Sequence, residues 1–342
     1  VTTVPEDIRA VCQACGTGCA DGDRFCENCG ASLQDETPAA ASGFTDIRCA
    51  ACGGDEFDGD GFCTTCGLHV VEKARATVDL GVLAGVTDRG SQHQRNEDAM
   101  ALQLLAATEG AIVVVCDGVS TSDDADAAAR VAADQGAATL SNGLRGGADA
   151  GAATHDAVAA AAAAVAKIGV GYREDHSPAC TFVSAVVRAD AITVGSVGDS
   201  RVYWLAAASA PTPSQCLTVD DSWAAQMIGA GVLDRAAAMA DPQAHAITAW
   251  LGADAGDIEP HVSTFVPEGP GVVLVCTDGL WNYLDEADAL AARILPAALQ
   301  DPAGAAAELA DFALAAGGGD NITVALVAFP PNIARNQRSN ET

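Results

Sequence analysis

The sequence predicts an α+β protein in which two small four-cysteine zinc ribbons precede a larger domain of antiparallel sheet and alanine-rich helices. Three observations predict it. Paired CxxC turns crowd the N-terminal region, short Val- and Ile-rich runs bounded by Gly, Asp or Pro fill the rest, and Ala-rich blocks with helical spacing lie between those runs. A chain of 342 residues has room for two or more folding units and a substantial core.

The ribbons come first. Nine of the thirteen cysteines precede residue 67, and eight of them form the pairs Cys12/Cys15, Cys26/Cys29, Cys49/Cys52 and Cys63/Cys66. Ten residues separate the pairs within each half, and adding 37 to any member of the first set gives a member of the second. The surroundings repeat as well, DGDRFCENCG at 21–30 against DGDGFCTTCG at 58–67, so the region is an internal duplication. Two residues between cysteines let both sulfurs of a tight turn face one ion, and two such turns complete a tetrahedral zinc site. Segments this short and polar build little core, so metal binding would supply most of their folding energy. Two structural Zn²⁺ are therefore expected, on Cys12, Cys15, Cys26 and Cys29 and on Cys49, Cys52, Cys63 and Cys66. Cys19 has Glu56 as its counterpart and reads either as a substitute ligand of the first site or, in preference, as a spare thiol.

Charge narrows the partners. The chain carries 17 Lys and Arg against 46 Asp and Glu, a formal charge of −29, and its only lysines are Lys73 and Lys167. Affinity for nucleic acid comes mainly from cations on phosphates, so a nucleic-acid partner is not expected. Residues 1–73 hold four Lys and Arg against thirteen Asp and Glu, which makes the ribbons a protein-contact or regulatory module on this reading. The longest apolar run, 157–166, is half of what a spanning helix needs, and the first thirty residues lack a basic-then-apolar leader. A soluble cytoplasmic protein with no membrane partner is expected.

Beyond Lys73, residues 78–87, 111–116, 180–188, 191–197, 201–205, 272–276 and 322–329 read as strands. Residues 123–140, 152–168, 221–230, 286–299 and 302–316 read as helices. Helices come in blocks and strands in adjacent pairs, which favours antiparallel sheets over alternating βαβ units.

Several carboxylates stand where such strands meet turns. Asp117 follows AIVVVC, Asp278 follows VVLVCT, Asp199 follows ITVGSVG, and Asp320 closes a Gly-rich turn before the strand at Ile322. A sheet fixes the position of each while the side chain reaches a cleft. Adjacent glycines such as Gly118 let a cation approach the backbone. Converging carboxylates repel unless they share cations, and an all-oxygen donor set favours Mg²⁺ or Mn²⁺.

These residues carry a resemblance. DRGSQHQRNEDA at 88–99, DG at 117–118, ACT at 179–181, GDSRVY at 198–203, LTVDDS at 217–222, CTDGLWN at 276–282 and GGDNITV at 318–324 occur in the order seen in the PPM/PP2C family of metal-dependent protein serine/threonine phosphatases, bacterial type. The resemblance covers about 77–330. It implies a PP2C-like β-sandwich flanked by helices (α-β-β-α), with two Mn²⁺ or Mg²⁺ at one end and a third, weaker site. Position by position it implies that Asp117 bridges the two metals and Gly118 offers its carbonyl. Asp278 and Asp320 then ligate directly, Glu97 and Asp98 hold metal-bound waters, and Asp199 serves the third site. Residues 221–247 match a flap beside the cleft, and Asn321 an orienting residue. The implied reaction is hydrolysis of phosphoserine or phosphothreonine esters by a metal-bridged hydroxide, without a covalent intermediate.

Three departures from the family pattern stand out. His93 occupies the place of a phosphate-binding arginine, and it can still donate a hydrogen bond to phosphate. Val119 and Ser120 follow DG, so no general acid comes from position 119. Ala179 and Cys180 replace the usual Gly and Ser/Thr. The domain reading is thus a first ribbon at 1–33, a linker at 34–46, a second ribbon at 47–73, a phosphatase domain at 77–330 and a disordered tail at 331–342. Its expected partners are a phosphoprotein made by a Ser/Thr kinase and a protein that the ribbons contact. Two alternatives remain beside an active phosphatase: a low-activity pseudophosphatase, and a zinc-ribbon adaptor working through protein binding.

Overall fold

The computed structural model describes residues 75–105, 110–173 and 176–331, the turn at 64–66, and the backbone alone of 8–11, 18–20 and 41–42. Of the expected zinc ligands, Cys12, Cys15, Cys26, Cys29, Cys49, Cys52 and Cys63 lie outside the described residues, as do most of the expected linker and the tail from 332. The chain divides into a small unit, Val1–Ala39, and a large one, Ala40–Thr342. In the small unit β1 (Ile8–Val11) pairs antiparallel with β2 (Gly18–Ala20).

The large unit opens with β3 (Ala41–Ser42), β4 (Arg75–Asp79), β5 (Leu83–Asp88), β6 (Ala99–Leu105) and β7 (Gly110–Cys116). Two long helices follow, α1 (Ala125–Arg145) and α2 (Ala150–Ile168), then β8 (Ala179–Cys180), β9 (Phe182–Val187), β10 (Ile192–Val197), β11 (Arg201–Ala206) and β12 (Gln215–Cys216). After the short helices α3 (Trp223–Gly229) and α4 (Arg235–Met239) come β13 (Leu251–Gly252), β14 (His261–Phe265) and β15 (Gly271–Cys276). The chain closes with α5 (Asp278–Trp281), α6 (Ala287–Ile294), α7 (Pro302–Ala316) and β16 (Ile322–Phe329). Among the described residues these strands form two six-stranded sheets, β14-β10-β9-β7-β6-β3 and β12-β11-β15-β16-β5-β4, with β13-β8 as a separate pair. Every pairing within them is antiparallel.

Strand periodicity explains the layering. Along β7, Ala111, Val113 and Val115 enter the core between the sheets, while Ile112, Val114 and Cys116 face α1 and α2. Along β15, Val273 and Val275 face the other sheet, while Val272, Leu274 and Cys276 meet α6 and α7. Both faces of each inner strand are buried, which is why these strands read as continuous apolar runs. The result is four layers, helices–sheet–sheet–helices.

The structure corrects several boundaries. The expected strand 78–87 is a hairpin, β4 and β5, turned at Gly81 with φ +79°. Strands β6 and β14 were not expected. The first is a Leu-, Met- and Ala-containing run without β-branched residues, and the second is a short, mostly exposed edge strand. The helix expected at 123–140 begins at Ala125 and continues to Arg145. The one expected at 286–299 stops at Ile294, because Pro296 offers no N–H, and resumes as a 3₁₀ turn at Ala297–Leu299.

A carboxylate-lined cleft at one end of the sandwich

Strand register alone gathers the acidic residues. Ala99 opposes Cys116, so Asp98 before β6 stands beside Asp117 after β7. Arg201 opposes Cys276 and Cys276 opposes Val324, so Asp199, Asp278 and Asp320 all emerge at the corresponding end of the other sheet. The cleft grades from floor to rim: Asp98 is 1% exposed, whereas the Asp320 side chain is 40% exposed.

Each carboxylate is held by its surroundings. Thr277 Oγ1 donates to Asp98 Oδ2 at 2.9 Å and accepts from the Thr323 amide at 3.0 Å. The Thr323 hydroxyl continues to Thr87 at 2.8 Å, and Thr87 accepts from Asn96 at 2.7 Å. This polar chain crosses beneath the cleft. Asp117 is fixed by Thr181, whose Oγ1 accepts the Asp117 amide at 3.0 Å and whose own amide donates back to the Asp117 carbonyl at 2.8 Å. The Gly118 amide donates to the Glu97 carbonyl, and a Cβ at 118 would stand 2.7 Å from that oxygen, so only glycine fits. Asn282 Nδ2 donates to Asp278 Oδ2 at 3.1 Å. The Asn321 side chain is spent on three backbone groups, donating to the carbonyls of Arg89 and Arg95 and accepting the Glu97 amide at 2.7 Å. It orients the loop that carries Glu97.

The electrostatics of this cluster are unfavourable as it stands. Burial pushes the Asp98 carboxyl up to about 8, with repulsion from Asp278 and Asp320 adding to it against two threonine hydrogen bonds. Asp278 is pushed up to about 6 by burial and then by Asp320. Asp117 is raised by burial and by Asp98, Asp278, Asp199 and Asp320, and Asp199 by burial and by Asp278 and Asp220. Glu97 is raised by burial, partly offset by His93. Two buried oxygens, Asp98 Oδ1 and Glu97 Oε2, have no hydrogen-bond partner.

These facts test the fit of a divalent cation. Acceptor-only oxygens that repel one another, two of them orphaned, make a donor set for a hard cation. Among the described residues no three His, Cys, Asp or Glu side chains form a group set to hold one ion.

The other expected residues lie nearby. His93 Nε2 stands 3.2 Å from Asp320 Oδ1, so the imidazole is engaged by a carboxylate of the cluster. Arg89 is turned to the Gln94 carbonyl at 3.3 Å, and Val119 contributes its amide to the Ala179 carbonyl at 2.9 Å. The segment 221–247 forms a cap closed at its base by the Ser222–Ile247 bridge, with its own small core around Ala224, Ala238 and Ala244.

Sequence reasoning missed the supports. Arg201 is buried, grips Asp220 through two nitrogens at 2.7 and 3.0 Å, and lies 3.8 Å over the Trp281 ring. Trp281 donates from Nε1 to the Asp199 carbonyl at 3.0 Å and stacks against His245 of the cap at 5.6 Å. Arg235 of the cap pairs with Asp285 at 2.7 Å. Spacing within the motifs could have singled out Arg201 and Trp281, but not the contact between them.

No protein-family model matches the chain, and no curated protein does. Solved structures do match. The chain is similar to the Mycobacterium tuberculosis serine/threonine phosphatase PstP/Ppp, with 26% identity, TM-score 0.57, and coverage of 72% of this chain and 97% of that one. It is similar to the S. agalactiae serine/threonine phosphatase at 24% identity and TM-score 0.58, covering 72% and 98% of the two chains. A PstP catalytic domain in complex with two manganese ions matches at 22% identity and TM-score 0.56, over 75% and 99%. The large unit shares the fold of these enzymes.

Proposed function

We propose that this chain is a metal-dependent protein serine/threonine phosphatase of the PPM/PP2C type, hydrolysing phosphoserine and phosphothreonine esters by direct attack of water. The observation that carries the reading is the convergence of Asp98, Asp117, Asp278 and Asp320 on one end of a sandwich shared with bacterial serine/threonine phosphatases. Asp117, Asp278 and Asp320, with the Gly118 carbonyl, would hold Mn²⁺ or Mg²⁺ directly. Glu97 and Asp98 would hold them through water, and Asp199 would serve a third, weaker site. A neighbour of the same fold holds two manganese ions, which supports that assignment. Bound there, the cations activate water toward phosphorus and offset the charge of the phosphate dianion.

The protein's own groups do the rest. Thr181 and Thr277 set the carboxylate positions, and the open rim at Asp320 admits a phosphorylated side chain. His93 is a weaker phosphate grip than an arginine, because its Nε2 is already engaged by Asp320. The thiols of Cys116 and Cys276 are buried and raised, by burial first, so neither is a nucleophile. Val119 has no proton to give, so on this reading the departing serine or threonine oxygen takes its proton from water or from a histidine such as His93, which stands beside Asp320.

The substrate on this reading is a phosphoprotein supplied by a Ser/Thr kinase. Action in the cytoplasm is part of the proposal. No helix of the described residues is long and apolar enough to cross a membrane. The N-terminal cysteines are proposed to bind two structural Zn²⁺, one per CxxC quartet, and to contact a protein partner. Two zinc ions per chain after desalting is the expected count, and a count near zero overturns the ribbons. For the phosphatase, a phosphothreonine peptide should release phosphate with Mn²⁺ and stop on addition of chelator. No release with manganese bound would leave a binding domain, the pseudophosphatase.

A further inference from the structure

Four helices of the large unit begin at an aspartate, and one of the four is unlike the rest. Asp149, Asp234 and Asp301 each turn their side chain to accept a backbone N–H of the following turn. Asp124, before α1, does not cap: its backbone is left-handed at φ +49°, and it is the one non-glycine residue with positive φ among those described. Its carboxylate accepts instead from the Tyr172 hydroxyl, in the loop after α2. A forgone cap and an uncommon backbone conformation are a departure that asks for a use.

That carboxylate and that ring line a cavity of about 330 Å³ between α1, the end of α2 and Pro178. Its walls are apolar, from Ala127, Val131, Ile168 and Pro178. Its charge is unbalanced toward negative. Arg130 is the cation in the lining, but Asp126 stands 3.5 Å from it and Asp134 interacts with it electrostatically, which offsets its charge. Asp124 and its neighbour Asp123 remain, both exposed, on a chain of net charge −29.

The cavity adjoins the cleft. Five residues, 119–123, join Gly118 to Asp124, and this joint is tied to β8 and the turn before it by Val119 N to Ala179 O at 2.9 Å and Asp123 N to His176 O at 3.2 Å. A Cβ at Gly118 would stand 2.9 Å from Ala125, so the helix that lines the cavity begins against the cleft. An extended peptide advances about 3.3 Å per residue, so a chain seated at the cleft needs only a few residues to reach the cavity.

Resting on the phosphatase reading, we infer that this cavity is a substrate subsite for a basic side chain flanking the phosphorylated residue. The aliphatic stem of an arginine or lysine lies along Ala127, Val131 and Ile168, and its head meets the Asp124 carboxylate and the face of Tyr172. The phosphate and the basic side chain are thus read by separate groups: the carboxylate-held cations on one side, a carboxylate and an aromatic ring on the other.

The test uses the full chain with Mn²⁺ and a neutral phosphothreonine peptide, in which a single Arg replaces Ala at each position from four before to four after the phosphoresidue. At one or two positions Arg should raise kcat/KM by about tenfold over Ala, and Glu there should lower it. Asp124→Asn, which tolerates the left-handed backbone, should bring the Arg/Ala ratio to within about twofold. Tyr172→Ala should lower the ratio independently. Equal kcat/KM across the peptides, or a ratio untouched by both variants, overturns the subsite. An Arg gain of the same size at every position that fades with salt would be the field of the whole acidic protein, and overturns it too. A preference seen only when residues 332–342 are removed would make the occupant the chain's own Arg335 and Arg338. Hydrolysis of p-nitrophenyl phosphate, run alongside, separates the two readings. Turnover of it without any Arg effect sinks the subsite alone, and absence of all turnover sinks the phosphatase.

Discussion

Two groups of charge sit at the same end of the sandwich and are built in opposite ways. Arg201 is 8% exposed in its side chain and is met by Asp220, by the Tyr203 hydroxyl at 3.1 Å and by the Trp281 ring. Burial alone would depress its pKa, yet Asp220 and Tyr203 raise it, so the guanidinium is satisfied within the protein. A few residues away Asp98, Asp117, Asp278 and Asp320 face one another without any guanidinium, and burial first, then repulsion from the neighbouring carboxylates, lifts the carboxyl pKa values of Asp98, Asp117 and Asp278. The first group is complete as a piece of architecture. The second is complete only with something positive added, which is the physical mark of a site.

The contrast breaks most sharply in turnover. Asp320→Asn should lower metal-dependent hydrolysis by about a thousandfold while the metal-free protein melts no lower than wild type, since a repelling charge is gone. Wild-type rates in that variant would remove Asp320 from the metal site. Arg201→Met should do the reverse in kind. It strands Asp220 and is expected to lower unfolding stability by about 3 kcal/mol in urea titration. An unchanged midpoint would show that the pair is ornamental.

The metal-free protein should also respond to pH and cation together. Carboxyl pKa values raised above their unfolded values mean that the folded state binds protons more tightly than the unfolded chain. Stability is then lost as pH rises from about 4 toward the folded values, near 6 for Asp278 and 8 for Asp98. Chelated protein should therefore melt lower at pH 8 than at pH 5, and Mn²⁺ should narrow that gap. A melting temperature indifferent to both would mean that these carboxylates are relaxed by solvent.

Much of this architecture was legible because the inner strands are buried on both faces and end in turns. AIVVVC before Asp117 and VVLVC before Asp278 can be little else than inner strands, and the carboxylates follow directly. Other features have no local signature. AMALQLL in β6 lacks the β-branched residues that mark a strand, and its neighbours alone make it one. The cap's hold on the core, His245 on Trp281, joins residues far apart in the chain. Asp124 looks in sequence like any helix-capping aspartate, and only its backbone conformation and its tyrosine partner set it apart.

The most direct test of the central claim is phosphate release from a phosphothreonine peptide during a Mn²⁺ titration, with Asp278→Asn run beside the wild type and manganese binding followed by electron paramagnetic resonance. Saturable, manganese-dependent turnover is expected in the wild type, and both weakened binding and lost turnover in the variant. Manganese bound equally by the two proteins, or turnover that ignores the substitution, would contradict that claim.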